Sequence, residues 1–430
     1  MSESVEFSNT IFASVKENIS SPSDSNNNPN LVLNKKDFGG LSLCHYRKDI
    51  LTACEEDYDG VYSKYRSVIF DTNCVMISSS PFKSLSQRKF QQTYDLDNIN
   101  VVLEEFVEGT MINVFHDGNQ WQISTRTCIG GNNTFYNNGV AGAKSFSTMF
   151  EEVCRDVGFS YDMLEKDISY SFVMQHVDNR VVSQYQFNDL ILVEAYRISH
   201  NDTNSVVNFI DVNGLNANFT GSNVRFPTRF DKENYDDYSN VQKNFDIDID
   251  DTKIQKSAIL QNVDTIPKGV VIKNLTNGHR MKFRNTTYDY LAKLRGNQAK
   301  LEFHYMSLRK DKKISLFLQI YPEYDERFME FRDKIHNFTQ ALFFHYFKCF
   351  KERSIALKEA PYELRAHLYE LHGKYINELR PVKKTMQFQD VKDYVNELPE
   401  ARLMYSLNFN TRPAKVEKYV NEKGEECADL

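Results

Sequence analysis

Near Tyr321 the hydrophobic period of this chain changes, and that switch limits the folds open to it. Upstream, apolar residues recur mostly at every second position between turn formers; downstream they recur at three- and four-residue steps. A period of two belongs to half-buried strands, and one near 3.6 to amphipathic helices. The segment RSVIFDTNCVMISSS (66–80) carries two β-rich runs about Asp71-Thr72-Asn73, the pattern of a hairpin. A second hairpin is predicted around His116-Asp117-Gly118-Asn119, because Asp-Gly favours a tight turn. After it, Trp121, Ile123 and Thr125 alternate with Gln122, Ser124 and Arg126, which sets Arg126 on the polar face. Strands are also expected at 169–176 and 188–198, with a further pair at 269–273 and 279–285 around Asn277-Gly278; one helix is expected within 144–166. Beyond the switch, Phe328, Phe331, Ile335, Phe338, Leu342 and Tyr346 define an amphipathic helix, with more helices predicted at 361–379 and 388–398.

The expected fold class is therefore α+β, a body of mixed, mainly antiparallel sheets followed by an all-α C-terminal domain. The predicted order is a disordered tail (1–38), the sheet-rich body (39–310), the helical domain (321–414) and a flexible tail (415–430). The first tail is assigned from the Ser- and Asn-rich stretch SSPSDSNNNPN. Residues 231–251 hold eight acidic residues against two lysines and read as an acidic loop. A chain of 430 residues with 41% hydrophobic residues, 31 Phe and 24 Tyr has ample material for large cores. Its formal net charge of −7 excludes a generally basic nucleic-acid coat, so any nucleic-acid site must be a local basic patch. No apolar run reaches the roughly 18 residues of a membrane span; the longest, Ala341 to Phe350, is broken by His345 and Lys348. Seven cysteines without a CxxC or Cys/His pairing read as reduced thiols, with no structural zinc. Together with an N-terminus unlike a signal peptide, these features predict a soluble cytoplasmic protein without membrane partners.

The order of several segments resembles a family. The pieces are YRSVIFD (65–71), SSPFK (79–83), EEFVEGTMI (104–112), ISTRT (123–127), YSFVMQHVDNRVV (170–182), KGVVIK (268–273) and RMKFRN (280–285). In that order they resemble the covalent nucleotidyltransferases: ATP-dependent RNA and DNA ligases and mRNA capping enzymes, with an ATP-grasp-like ligase body. The likeness is greatest to bacteriophage-type tRNA-repair RNA ligases and their giant-virus relatives, which would place the chain in a host cytoplasm or a virion. The resemblance implies a lysine amine that attacks the α-phosphate of ATP, with Mg²⁺ as cofactor, and AMP then passed to an RNA 5′-phosphate.

The chain departs from that pattern at its chemical centre. The nucleophile motif, Lys-x-Asp/Glu-Gly in the family, aligns with Phe106-Val107-Glu108-Gly109, and a phenyl ring cannot form a phosphoramidate. The strand that normally ends Phe-Glu reads Phe172-Val173, and the motif that normally reads Glu-Gly is Lys268-Gly269. The resemblance retains Glu108, Gly109, Arg126, Lys273, Lys282 and Arg284. Arg280, Lys282 and Arg284 share one face of a strand, while His279, Met281 and Phe283 share the other. From 279 to 310 there are eight Lys/Arg against two acids, interleaved with Tyr288, Tyr290, Phe303, His304 and Tyr305, a composition suited to single-stranded RNA.

Plainer readings stand beside these. A basic strand face is often only solvated surface, and most aromatics of 288–305 should be core. His176, His279 and His304 read as structural, and Asn179-Arg180 as a turn. Three functions compete. The first is a ligase-fold pseudoenzyme binding RNA or nucleotide through a basic cleft, with no catalytic residue and no cofactor. The second is an active nucleotidyltransferase using ATP, Mg²⁺ and a relocated nucleophile, Lys268. The third is a structural or virion protein that keeps only the scaffold. The helical domain offers a surface for RNA or a protein partner, and nothing in its spacing chooses.

Overall fold

The structure is a computed structural model that describes residues 4–8, 32–53, 62–134, 144–201, 204–246, 266–296, 298, 300–411, 419–420 and 426–427. The chain divides into two compact units, Met1–Asn297 and Gln298–Leu430. The α+β class is as expected: antiparallel sheets make up the first unit and helices dominate the second. The unit boundary lies ahead of the position expected near 310, so the helix Leu301–Lys310 groups with the helical unit.

In chain order the strands of the first unit are β1 (Val5–Ser8), β2 (Leu33–Phe38), β3 (Leu41–Tyr46), β4 (Val68–Phe70), β5 (Met76–Ser78), β6 (Val101–Glu105) and β7 (Thr110–His116). They continue as β8 (Trp121–Ser124), β9 (Ile168–Gln175), β10 (Asp189–His200), β11 (Asn204–Ile210), β12 (Arg229–Phe230), β13 (Gly269–Asn274) and β14 (Arg280–Arg284). Among the described residues of the first unit three sheets form, in the orders β1-β11-β10-β9-β7-β8, β12-β6-β13-β14 and β2-β3-β4-β5. The predicted hairpins are present: β4 pairs with β5, β7 with β8 and β13 with β14, all antiparallel. The Asp117 carboxylate stabilises the second turn by accepting the backbone N–H groups of Asn119 (2.8 Å) and Gln120 (2.9 Å).

The helix Phe146–Val157 packs on the six-stranded sheet through Phe146, Met149, Phe150 and Val153, which meet Tyr170, Phe172 and Leu192 of β9 and β10. Its N-cap is Ser145, whose hydroxyl accepts the Thr148 N–H, and its left-handed C-cap is Gly158. The four-stranded sheet of β13 and β14 buries Val270, Ile272, Met281 and Phe283, leaving the alternate residues for its other face.

Three expectations are corrected. The tail 1–38 is not disordered throughout, since Val5–Ser8 pairs with Asn204–Val207 and Leu33–Phe38 with Leu41–Tyr46. Phe7 and Leu33 bury their side chains there, a gain that local composition concealed; residues 9–31 lie outside the described residues. The acidic stretch is not simply a loop. Asp231 and Asp237 cap short helical segments, and Val241 and Phe245 of the helix Tyr238–Phe245 join the core under β13 and β14; residues 247–265 lie outside the described residues. In the C-terminal tail, Tyr419–Val420 pairs with Glu426–Cys427, and the rest of that segment is outside the described residues.

The second unit is helical, as its period predicted: the long helix Asp325–Tyr346 buries Phe328, Phe331, Ile335, Phe338, Leu342 and Tyr346. The helices Tyr362–Lys374 and Phe388–Glu397 follow, with Leu364, Leu368, Leu371, Val391 and Val395 inward. Among the described residues no helix is long and apolar enough to cross a membrane.

Candidate functional site

The segment Phe106–Gly109 carries the chain from β6, in one sheet, to β7, in another. Gly109 is held at φ +138°, where a Cβ would sit 2.5 Å from the Met174 carbonyl oxygen and 2.7 Å from Val173 Cγ1, so only glycine fits the crossing. Gly269 faces the same constraint on β13, at φ +131° with 2.1 Å to the Phe283 carbonyl oxygen. Glu108 pins the crossing from beneath. Its carboxylate accepts the backbone N–H groups of Val182 (2.7 Å) and Ser183 (3.1 Å) and the Ser183 hydroxyl (2.8 Å). Glu108 and Gly109 are thus spent on backbone geometry.

Above the crossing lies a cavity of about 270 Å³ between the sheets. Phe106, Gly109, Val173, Lys268, Lys273, Arg280, Lys282 and Arg284 all line it, together with Arg66, Glu104, Glu105, Met111, Val193, Glu194 and Val271. The positions assigned from scattered motifs therefore converge. Arg126 lies just past the end of β8 rather than on it, and lines an adjoining cavity that shares Arg66 and Met111 with the first. Arg126 stacks over Tyr46 (4.9 Å to the ring centre) and donates to the Tyr46 carbonyl (2.9 Å).

The cations of the cavity fall into two sets. Lys273, with 2% of its side chain exposed, bonds Glu104 (2.7 Å) and Glu194 (3.1 Å). Arg280 bonds the same Glu194 oxygen (2.7 Å) and donates to the Phe82 carbonyl (2.9 Å). Arg229 closes the network on Glu104 (3.1 Å) and on Asp211. Glu104 and Glu194 thus neutralise Lys273 and Arg280, and sequence reasoning missed both acids because neither belongs to a basic motif. Their signal was burial, an acid at an inward position of a strand.

The second set surrounds Phe106. The Lys268 amine lies 4.1 Å from its ring centre, the Lys282 amine 4.6 Å and the Arg284 guanidinium carbon 5.7 Å. Lys268 donates to the Val107 carbonyl (3.1 Å), and the half-exposed Arg284 pairs with Asp289 (3.1 Å). Among the described residues, Lys282 and Arg66 have no carboxylate partner. Burial pulls the Lys268 amine down to about 8, with Arg284 and Arg66 adding to the effect against Glu108. Burial, then Arg280, Arg66, Lys268 and Arg284, hold Lys282 well below the ordinary lysine range. Arg66 is drawn down to about 10 by burial and Arg280, and stays charged at neutral pH. A cation over a ring gains roughly 0.5–2 kcal/mol. Two unit charges 4–8 Å apart repel by roughly 2–4 kcal/mol at an effective dielectric of 20. The ring therefore offsets only part of the repulsion, and an anion would supply the remainder.

Other sequence candidates are structural. His176 bonds Glu152 (2.8 Å), His279 bonds the Tyr94 hydroxyl (2.8 Å), and His304 is buried edge-on to Phe317. Asn179 donates to Thr110 Oγ1 (2.8 Å). Tyr288 and Tyr305 are core residues. No three His, Cys, Asp or Glu side chains converge as metal ligands among the described residues.

Comparison with known proteins places ligases among the similar solved structures. A putative ATP-dependent DNA ligase from Aquifex aeolicus is 12% identical, with 94% of this chain and 88% of that chain covered and a TM-score of 0.36. An archaeal ATP-dependent RNA ligase is 11% identical over 69% of this chain and 70% of that one, at 0.33. A Naegleria gruberi RNA ligase mutant with AMP and Mn is 12% identical over 46% of this chain and 52% of its own, at 0.31, so the chain spans about half of that ligase. No family model matches the chain, and no curated protein matches it.

Proposed function

We propose that this protein is an RNA-ligase-like member of the nucleotidyltransferase superfamily that binds the phosphates of a nucleotide or RNA end in the cavity over Phe106, without a lysyl-AMP intermediate. The observation that carries this reading is the arrangement at position 106: where the resemblance implies a nucleophilic amine, a phenyl ring stands with Lys268, Lys282 and Arg284 over it. Such a group can hold an anion, but the ring itself has no lone pair to attack phosphorus. Cations with few partners also favour phosphate over an uncharged ligand. The test is binding of 5′-phosphorylated RNA and of ATP to the full chain as salt is raised. Affinity should fall with salt, since phosphate contacts release counterions. No binding of either ligand at low salt would leave the cavity vestigial and return the protein to a structural role.

One observation favours a second reading. The Lys268 amine enters the space over residue 106 and, at about 8, has roughly a tenth of its population unprotonated at pH 7, far more than an ordinary lysine, which suits a nucleophile. Incubation with α-labelled ATP and Mg²⁺ or Mn²⁺ decides it. Label that stays with the protein on a denaturing gel and disappears in Lys268→Ala would establish the relocated lysine and overturn the non-covalent reading.

A further inference from the structure

The resemblance implies a divalent cation between nucleotide phosphates and protein carboxylates. Magnesium takes near-octahedral oxygen ligands, usually waters with one or two carboxylates. Among the described residues three carboxylates border this cavity, and two of them are fully engaged. The oxygens of Glu104 go to Lys273 and Arg229. One oxygen of Glu194 takes both Lys273 and Arg280, and the other accepts the Tyr196 hydroxyl (3.4 Å). Glu105 accepts the Thr228 N–H (3.4 Å) with one oxygen, which leaves its other oxygen as the single carboxylate donor that the lining offers. The two places where the resemblance implies further acids carry Val173, packed with Val107 and Val193, and Lys268. One carboxylate oxygen in a lining shared with Arg66, Lys268, Lys282 and Arg284 is a poor donor set for the ion.

Positive side chains stand in its place. We propose that this cavity holds a polyphosphate in its metal-free form, with Lys268, Lys282 and Arg284 over the Phe106 ring supplying the charge neutralisation. The proposal rests on the phosphate-binding reading above and goes beyond it by naming the ionic form of the ligand. Magnesium on the ligand would cancel two of its negative charges and set a doubly charged ion against the Lys268 and Lys282 amines, which form no ion pair among the described residues. The wall beside them, Met111, Val173, Val193 and Val271, offers no oxygen to bind that ion. The phenyl ring has a part in this arrangement. Its negative face lets two ammonium groups and a guanidinium share one space, where a lysine at 106 would add a fourth charge.

The experiment is calorimetric titration of the full chain with inorganic tripolyphosphate, once with EDTA and once with the ligand saturated with Mg²⁺. Binding should appear in EDTA and weaken about tenfold or more with magnesium, the scale of one charge-assisted contact. Lys282→Met should lose about tenfold in EDTA while its thermal melting matches the parent. Phe106→Leu, which fills the space without an aromatic face, should lose about threefold. Binding that requires or is tightened by magnesium would overturn the metal-free proposal and leave the phosphate reading standing. Absence of binding under both conditions would overturn both. Parental affinity of Lys282→Met in EDTA would show that these cations are not the counter-charge, and the proposal would fall.

Discussion

β13 and β14 carry two groups of cations that look alike in sequence and differ in surroundings. Lys273 and Arg280 point toward Glu104 and Glu194 and are neutralised inside the protein. Lys268, just ahead of β13, and Lys282 and Arg284 of β14 gather on the Phe106 ring. The first group is a buried ion network, whose loss leaves a charge stranded in low dielectric. The second has more cations than carboxylate partners among the described residues, with Asp289 paired to Arg284. A basic motif thus holds two physical roles, and the position of a facing carboxylate separates them.

The largest expected effect lies in the first group. Glu194→Ala leaves Lys273 and Arg280 buried with one fewer carboxylate and should destabilise the first unit by about 3–5 kcal/mol, measured by denaturant unfolding. Lys282→Met should do the opposite or nothing, because it removes a repelled charge. If Lys282→Met were the more destabilising of the two, the division would be wrong.

For ligand affinity the order should reverse. Lys282→Met should weaken RNA binding about tenfold across sequences and flatten the salt slope by about one unit, as expected for one lost phosphate contact. A slope unchanged from the parent would take Lys282 out of the site.

pH sharpens the comparison through Lys268. Its folded pKa of about 8 lies below the ordinary value of 10.5, so its charge opposes folding at neutral pH. Stability from this group should rise as pH climbs from about 8 toward 10.5, where the unfolded chain holds more protons than the folded one. Phosphate affinity should move the other way, falling as pH passes above 8 and the amine loses its charge. Lys268→Met should flatten both curves, and a pH-independent affinity in the parent would exclude the amine from the contact.

The smallest change belongs to Arg284. With 53% of its side chain exposed and Asp289 as a partner, its replacement by Met should cost affinity only about twofold to fivefold, within the range of exposed ion pairs. A loss as large as that of Lys282→Met would mean that the ligand displaces Asp289.

Local pattern carried much of this protein. The alternation of Arg280, Lys282 and Arg284 with Met281 and Phe283 was legible because a strand has a period of two, and the faces agree with it. Asp117-Gly118 and Asn277-Gly278 marked their hairpins because few other dipeptides adopt those turns cheaply. The helical period after Tyr321 was equally plain. That position 106 carries a phenyl ring is a fact of sequence alone.

What tertiary structure decided is which distant groups meet. Glu194 finds Arg280 from 86 positions away, and Lys268 reaches the Val107 carbonyl across 161. The N-terminal strand Val5–Ser8 takes its place only because β11 presents an edge to it. Such pairings depend on register between strands and on the packing of one sheet over another, where chain entropy is offset by contacts that no local window contains. Periodicity determines which face a cation occupies. The partner on the facing sheet determines whether that cation holds the fold together or stays available for a ligand.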